Sequence, residues 1–202
     1  MTKIKLCGLT RLSDIEAANE LRPDYIGFVF APKSRRYVTA EKAAELKRRL
    51  DPGIKAVGVF VNERPEVIAA LLNSGTIDTA QLHGSESEEY IHQLRLLTDK
   101  QIIKAFRIQT EQDTLATQAS SADLVLLDSG AGTGTAFDWN LIQNTQRPYL
   151  LAGGLAPDNV ISAIQTFHPY GVDVSSGIET NGLKDNKKMA AFVAAVRKED
   201  MK

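Results

Sequence analysis

Two side chains in this sequence have the type and setting to move protons. Cys7 ends the apolar run KIKLC at 3–7 and is followed at once by Gly8. A lone cysteine beside an apolar strand is usually a small core hydrophobe. The glycine, however, allows the backbone to turn sharply and expose the sulfur, where a thiolate would serve as base or nucleophile. Asp128 ends a second apolar run, Leu124 to Leu127. An acid in that place can simply cap the next element. The next residues are Ser129-Gly130-Ala131-Gly132-Thr133-Gly134, a glycine-rich run and not an immediate helix. A carboxyl held over apolar surface has its charged form disfavoured, so its pKa rises and it can donate a proton near neutrality.

Other groups are suited to gripping anions and hydroxyls. Gly153-Gly154 and Ser175-Ser176-Gly177 each end an apolar run. Glycines let backbone N–H groups approach phosphate oxygens closely. Either motif alone would be a mere turn. Lys33-Ser34-Arg35-Arg36 is a basic cluster; such clusters are commonly solvated loops, but one arginine there could grip a carboxylate bidentately. His83 shares strand parity with Thr79 and Gln81, giving a polar face suited to substrate hydroxyls or to structural hydrogen bonds.

These groups need elements to hold them, and the chain supplies a repeat. Apolar runs begin near Lys3, Asp24, Lys55, Ile77, Gln101, Asp123, Pro148 and Gly171. Between them lie stretches with helical spacing, such as Ile15, Ala18 and Leu21, or Ile161, Ile164 and Phe167. Thr39 and the Ser85-Glu86-Ser87-Glu88 stretch read as helix starts, and Pro157 reads as the first turn of another. The segment from Glu111 to Ser120, rich in Gln, Thr and Ser, reads as the weakest helix. Strand–helix alternation means parallel strands joined by right-handed crossovers. Eight units favour closure, so the expectation is an α/β fold: a single (β/α)₈ TIM barrel over 1–202 with short loops. No GxGxxG follows the first strand, which argues against a dinucleotide-binding sheet. In such barrels the chemistry sits where strands end, and phosphate is held by the loops after strands seven and eight. The candidate groups fall at such ends or in the loops beyond them.

Strand parity adds an expectation. Cys7 and Lys5 share a face, so if Cys7 points to the barrel axis, Lys5 does too. A buried ammonium needs a carboxylate. Strand eight closes against strand one, and Asp173 has the parity of Ser175. A Lys5–Asp173 pair is therefore expected under the site, lowering the Cys7 thiol from about 8.5 toward working pH. Asp173 is accordingly grouped with Arg36 and His83 among substrate-contacting residues.

Bulk properties exclude several classes. The chain has 202 residues, 43% hydrophobic and 24% charged, with a net charge of −1. That is enough for one core and offers no electrostatic footprint for nucleic acid or an anionic membrane. No apolar run reaches the ~18–20 residues of a membrane span. Met1 to Leu6 reads as a strand and not as a targeting peptide. One cysteine and three histidines allow no disulfide and little for a metal. The expectation is a cytoplasmic protein with no cofactor or metal, a small-molecule substrate, and a monomeric or homodimeric state.

The strand-end motifs together resemble one family. KLCGLT at 5–10, GFVFAPKSRR at 27–36, VGVFVN at 57–62, QLHG at 81–84, LLDS at 126–129, GTGTAFDW at 132–139, LAGGL at 151–155 and DVSSGIE at 173–179 are similar to phosphoribosylanthranilate isomerases, in order, over essentially the whole chain. The resemblance implies a cofactor-independent Amadori rearrangement in tryptophan biosynthesis. N-(5′-phosphoribosyl)anthranilate becomes 1-(2-carboxyphenylamino)-1-deoxyribulose 5-phosphate. It implies Asp128 as general acid, Cys7 as general base and Arg36 on the anthranilate carboxylate. It assigns phosphate to Gly153, Gly154, Ser175, Ser176 and Gly177. Two stretches depart from the pattern. Thr135 stands where relatives often carry a lysine, and TNGLKD at 180–185 has less positive charge than the PGKKD of some relatives. The rival readings are another phosphoribosyl isomerase barrel, which would resemble a two-aspartate pattern, and a non-catalytic barrel that binds a phosphometabolite.

Overall fold

The computed structural model describes residues 1–128, 145 and 147–201. Its eight parallel strands close on themselves in sequence order. They are β1 (Lys3–Cys7), β2 (Tyr25–Val29), β3 (Lys55–Phe60), β4 (Thr79–Leu82), β5 (Gln101–Arg107), β6 (Leu124–Asp128), β7 (Tyr149–Ala152) and β8 (Gly171–Val174). The described helices are α1 (Leu12–Leu21), α2 (Ala40–Lys47), α3 (Pro65–Asn73), α4 (Glu88–Arg95), α5 (Glu111–Ala119), α6 (Val160–Phe167) and α7 (Asn186–Glu199). The glycine-rich segment after β6, with Thr135, lies outside the described residues.

The period-2 pattern of the strands sorts their side chains into two cores. Ile4, Leu6, Ile26, Phe28, Ala80, Leu82, Val125, Leu127, Val172 and Val174 face outward and are buried under the helices. Tyr25, Val57, Ile103, Ala105, Leu124, Leu126, Leu150 and Ala152 form a separate cluster inside the barrel. The register carries this parity around the ring: Lys5 pairs with Tyr25 and Asp173, and Cys7 pairs with Gly27. Lys5, Cys7, Asp128 and Asp173 thus share the inward face.

Local chemistry sets the helix starts. Thr39 accepts from the Lys42 N–H, and Ser87 from the Tyr90 N–H, each acting as an N-cap. The polar α5 holds through a reciprocal capping box between Thr110 and Asp113. Pro157 lies in a turn that runs directly into α6, whose assigned start is Val160. The Ala156 carbonyl accepts from the Asn159 and Val160 N–H groups, and the Asn159 side chain accepts from the Ala156 N–H at 2.8 Å and donates to the Gly154 carbonyl at 2.9 Å.

Beyond β8 the chain leaves the simple repeat. Ser176–Ile178 form a 3₁₀ turn, and β9 (Glu179–Thr180) pairs antiparallel with β10 (Leu183–Lys184). Asn181 and Gly182 join them, both at positive φ of 52° and 80°. Asn-Gly is the dipeptide that a two-residue hairpin of this twist favours. α7 then packs against α1, α6 and β1, sealing the last gap in the helical layer. Its Phe192 is fully buried. Phe192→Ala should lower unfolding free energy by about 3–5 kcal/mol, the usual cost of an emptied aromatic site, measured by urea denaturation.

Candidate functional site

The C-terminal ends of the strands surround a cavity of about 340 Å³. Cys7, Arg36, Gln81, His83, Asp128, Gly153, Gly154, Asp173, Ser175 and Ser176 all line it. The structure therefore brings together every candidate site residue except Gly177. That glycine lies behind the wall. A Cβ there would fall 2.0 Å from the Leu155 carbonyl oxygen, so its bare Cα is what lets the loops after β7 and β8 touch.

Cys7 is buried, with room made for its sulfur by neighbouring glycines. A Cβ on Gly27, its cross-strand partner, would lie 2.7 Å from the Cys7 sulfur. Gly8 has φ +79°, and a Cβ there would meet Arg36 Cδ at 2.4 Å. The arginine stem thus lies across the turn that follows the thiol. Lys5 sits fully buried beneath, its Nζ 3.0 Å from Asp173 Oδ1. The expected ion pair is formed.

Its electrostatic effect differs from expectation. Burial pushes the Cys7 thiol up, and the positive charges of Lys5 and Lys184 only partly oppose this. Asp173 also raises it, because a carboxylate repels a developing thiolate. The cysteine is therefore held protonated more firmly than a free thiol and is not brought down toward neutrality. The Lys5 ammonium loses from burial, but Asp173 and Cys7 outweigh that loss and its pKa is raised.

On the far wall, His83 connects two groups. Gln81 Nε2 lies 2.8 Å from His83 Nδ1, and His83 Nε2 lies 3.4 Å from Asp128 Oδ2. With the amide donating, the imidazole proton sits on Nε2, facing the carboxylate. Gln81 Oε1 is buried and accepts no hydrogen bond among the described residues.

The groups expected from the sequence to hold anions occupy two parts of the rim. Gly153 and Gly154 have φ of +94° and +65°, a conformation that side chains rarely adopt. They stand beside Ser175 and Ser176, where the 3₁₀ turn begins. Arg36 does not stand alone. Its Nε donates to Glu179 Oε1 at 2.6 Å and its Nη2 to Glu179 Oε2 at 3.0 Å. Sequence reasoning missed Glu179 and Lys184, which support the wall from outside. The Asn-Gly turn between them is the signal that could have paired them. No group of His, Cys, Asp and Glu suited to a metal ion occurs among the described residues.

Comparison with known proteins agrees with this geometry. Residues 4–195 match the family model for N-(5′-phosphoribosyl)anthranilate (PRA) isomerase. A relative of that name from Caldanaerobacter subterraneus subsp. tengcongensis is 45% identical, covering 98% of each chain. Two solved structures of such isomerases each superpose with a TM-score of 0.87 at 37% identity, over 98% of this chain and all of theirs. One was crystallised with reduced 1-(o-carboxyphenylamino)-1-deoxyribulose 5-phosphate. The other is a monomeric form of the dimeric Thermotoga maritima protein.

Lys5→Met should move the midpoint of Cys7 alkylation to higher pH. It removes a cation that favours the thiolate and leaves Asp173 uncompensated. The Lys5→Met/Asp173→Asn double variant should move it less. An unchanged midpoint in Lys5→Met, measured by iodoacetamide labelling across pH, would remove Lys5 from the tuning of the thiol.

Proposed function

The chain belongs to the N-(5′-phosphoribosyl)anthranilate isomerase family, and on that premise we propose that Cys7 and Asp128 are its general base and general acid. The reaction is the aldose-to-ketose isomerisation of N-(5′-phosphoribosyl)anthranilate in tryptophan biosynthesis. The observation that carries the residue assignment is a single cavity lined by both groups, on inward positions of strands at different places around the ring.

The substrate is an N-glycosylamine with an anion at each end. In the first step the protonated Asp128 carboxyl gives its proton to the ribose ring oxygen. The bond from C1 to that oxygen breaks as the nitrogen lone pair forms a C1=N double bond, giving an open-chain protonated Schiff base. In the second step the Cys7 thiolate removes the proton from C2. The electron pair forms a C1=C2 double bond and the iminium nitrogen becomes a neutral enolamine. Tautomerisation moves the C2 hydroxyl proton out and adds one at C1, leaving the ketone. Acid and base address different atoms, which fits their lining of one cavity from separate strands.

The reaction needs Asp128 protonated and Cys7 ionised, the reverse of their order in water. Lys5 and Lys184 bias Cys7 in the required direction against the burial that opposes it. Arg36 suits the anthranilate carboxylate, because its side-on pairing with Glu179 uses Nε and Nη2 and leaves the Nη1 edge for a second carboxylate. Gly153, Gly154, Ser175 and Ser176 suit the phosphate, with Gly177 allowing their loops to meet. Gln81 Oε1, a buried acceptor, and His83 suit the ribose hydroxyls. Asp173 contributes by holding Lys5. The whole chain is read as one catalytic domain working in the cytoplasm; no described helix is long and apolar enough to cross a membrane. The dimeric relative favours a homodimer over a monomer as its state.

Mixing the purified protein with freshly prepared phosphoribosylanthranilate and following the decay of substrate fluorescence tests the activity. Cys7→Ala and Asp128→Ala should each lower turnover at least ~10²-fold, the scale of general acid–base groups. Near-wild-type turnover in both would withdraw the pair. Inorganic phosphate should compete with substrate and, soaked into crystals, should sit between Gly153-Gly154 and Ser175-Ser176. Saturating phosphate without competition or occupancy would move the anion site elsewhere.

A further inference from the structure

Glu179 touches neither the cavity nor any atom assigned a chemical step, yet three cations converge on it. Arg36 engages both oxygens side-on. Lys184 Nζ donates to Oε1 at 2.6 Å, and Arg35 Nη2 to Oε2 at 2.7 Å. The Glu179 side chain is 5% exposed and that of Lys184 is 2% exposed, whereas that of Arg35 is 60% exposed. The arm to Lys184 is therefore buried, that to Arg36 half-buried, and that to Arg35 exposed. The arms to Arg36 and Lys184 are the ones shielded from water. They hold the Glu179 carboxyl down to about 2 against a burial that would raise it.

Lys184 extends the connection. Its ammonium also donates to the Ser175 carbonyl at 2.8 Å and to Ser175 Oγ at 3.3 Å. Three acceptors match its three protons, so it has no proton left for a ligand. Ser175 Oγ in turn donates to the Cys7 carbonyl at 3.2 Å. Glu179 and Lys184 are direct cross-strand partners in the β9–β10 hairpin. The Asn181-Gly182 turn fixes that register, because both residues take the positive φ it requires.

We propose that Glu179 is a positioning residue: with Lys184 it joins Arg36 at one side of the cavity to the Ser175 loop at another, setting the two anion-gripping ends as one unit. The inference rests on Arg36 holding a carboxylate and the Ser175 loop a phosphate. A rigid connection between those ends fits one substrate that carries an anion at each end. Planarity supports the role of the arm to Arg36, since a guanidinium gripped along one edge has its other edge aimed as well. An ion-pair cluster that served stability alone would lower melting temperature in its variants and leave ligand affinities in the folded protein unchanged.

The test uses Glu179→Gln, Lys184→Gln and the control Arg36→Met, each at a temperature where it is folded. kcat and KM are measured separately, with inorganic phosphate as a competitive probe. Arg36→Met should raise KM and leave the phosphate inhibition constant unchanged, since it cuts only the carboxylate end. Glu179→Gln should raise both, each by about tenfold, the loss expected when charge-assisted hydrogen bonds fall out of line. Lys184→Gln should raise the phosphate constant more than it lowers kcat. If Arg36→Met raises KM while Glu179→Gln leaves both quantities within about twofold, the proposal is overturned. If Arg36→Met itself has no effect, the carboxylate assignment fails and the connector loses its premise. Should Glu179→Gln not fold, Glu179→Asp keeps the charge but is one methylene too short to reach both partners. It should weaken one end or the other, and wild-type values for both would equally overturn the proposal.

Discussion

Closing a parallel sheet forces half of its side chains to point inward, and at the mouth of this barrel that constraint puts charge where water is scarce. Lys5 is completely buried because it shares the parity of Cys7, not because a lysine prefers that place. Asp173, brought alongside by the β1–β8 register, makes the position tolerable. Much else depends on this pair. It sets a cation beside the thiol and ties β1 to β8 at the floor of the cavity.

Charge balance around the thiol links that floor to the wall. Three buried or half-buried cations, Lys5, Arg36 and Lys184, stand near Cys7, and two carboxylates, Asp173 and Glu179, answer them. Among these five described groups the cations outnumber the carboxylates by one, and a thiolate at Cys7 would be attracted to them. Burial works against ionisation and is the largest influence on the thiol. On the proposed assignment of an anthranilate carboxylate to Arg36, a bound substrate anion and a Cys7 thiolate would interact with the same few cations.

Much of this was legible in the sequence because barrels encode position by period. Alternating strands, intervening helices and the order of strand ends placed Cys7, Asp128, His83 and both glycine–serine motifs at one mouth. The Lys5–Asp173 pair followed from parity, from closure of strand eight on strand one and from the need to pair a buried ammonium. The sign of the thiol shift did not, since burial depth is a property of packing: Gly27 admits the sulfur, but the surrounding chain shuts out water. Pro157 was legible as a turn leading into α6, whereas the assigned start at Val160 depends on how the Asn159 side chain folds back onto the Ala156 N–H and the Gly154 carbonyl. Glu179 and Lys184 were hidden because their hairpin lies outside the strand–helix repeat. Their meaning depends on Arg36, which is 143 residues from Glu179 in sequence.

The seam between β1 and β8 also has a temporal side. Lys5 and its partner Asp173 are 168 residues apart. In synthesis Lys5 and Cys7 leave the ribosome well before Asp173, Glu179 and Lys184. Without β8 beside β1, Lys5 lacks the carboxylate that pairs with it. The electrostatic setting of Cys7, to which Lys5 and Asp173 both contribute, therefore exists only where β8 closes against β1.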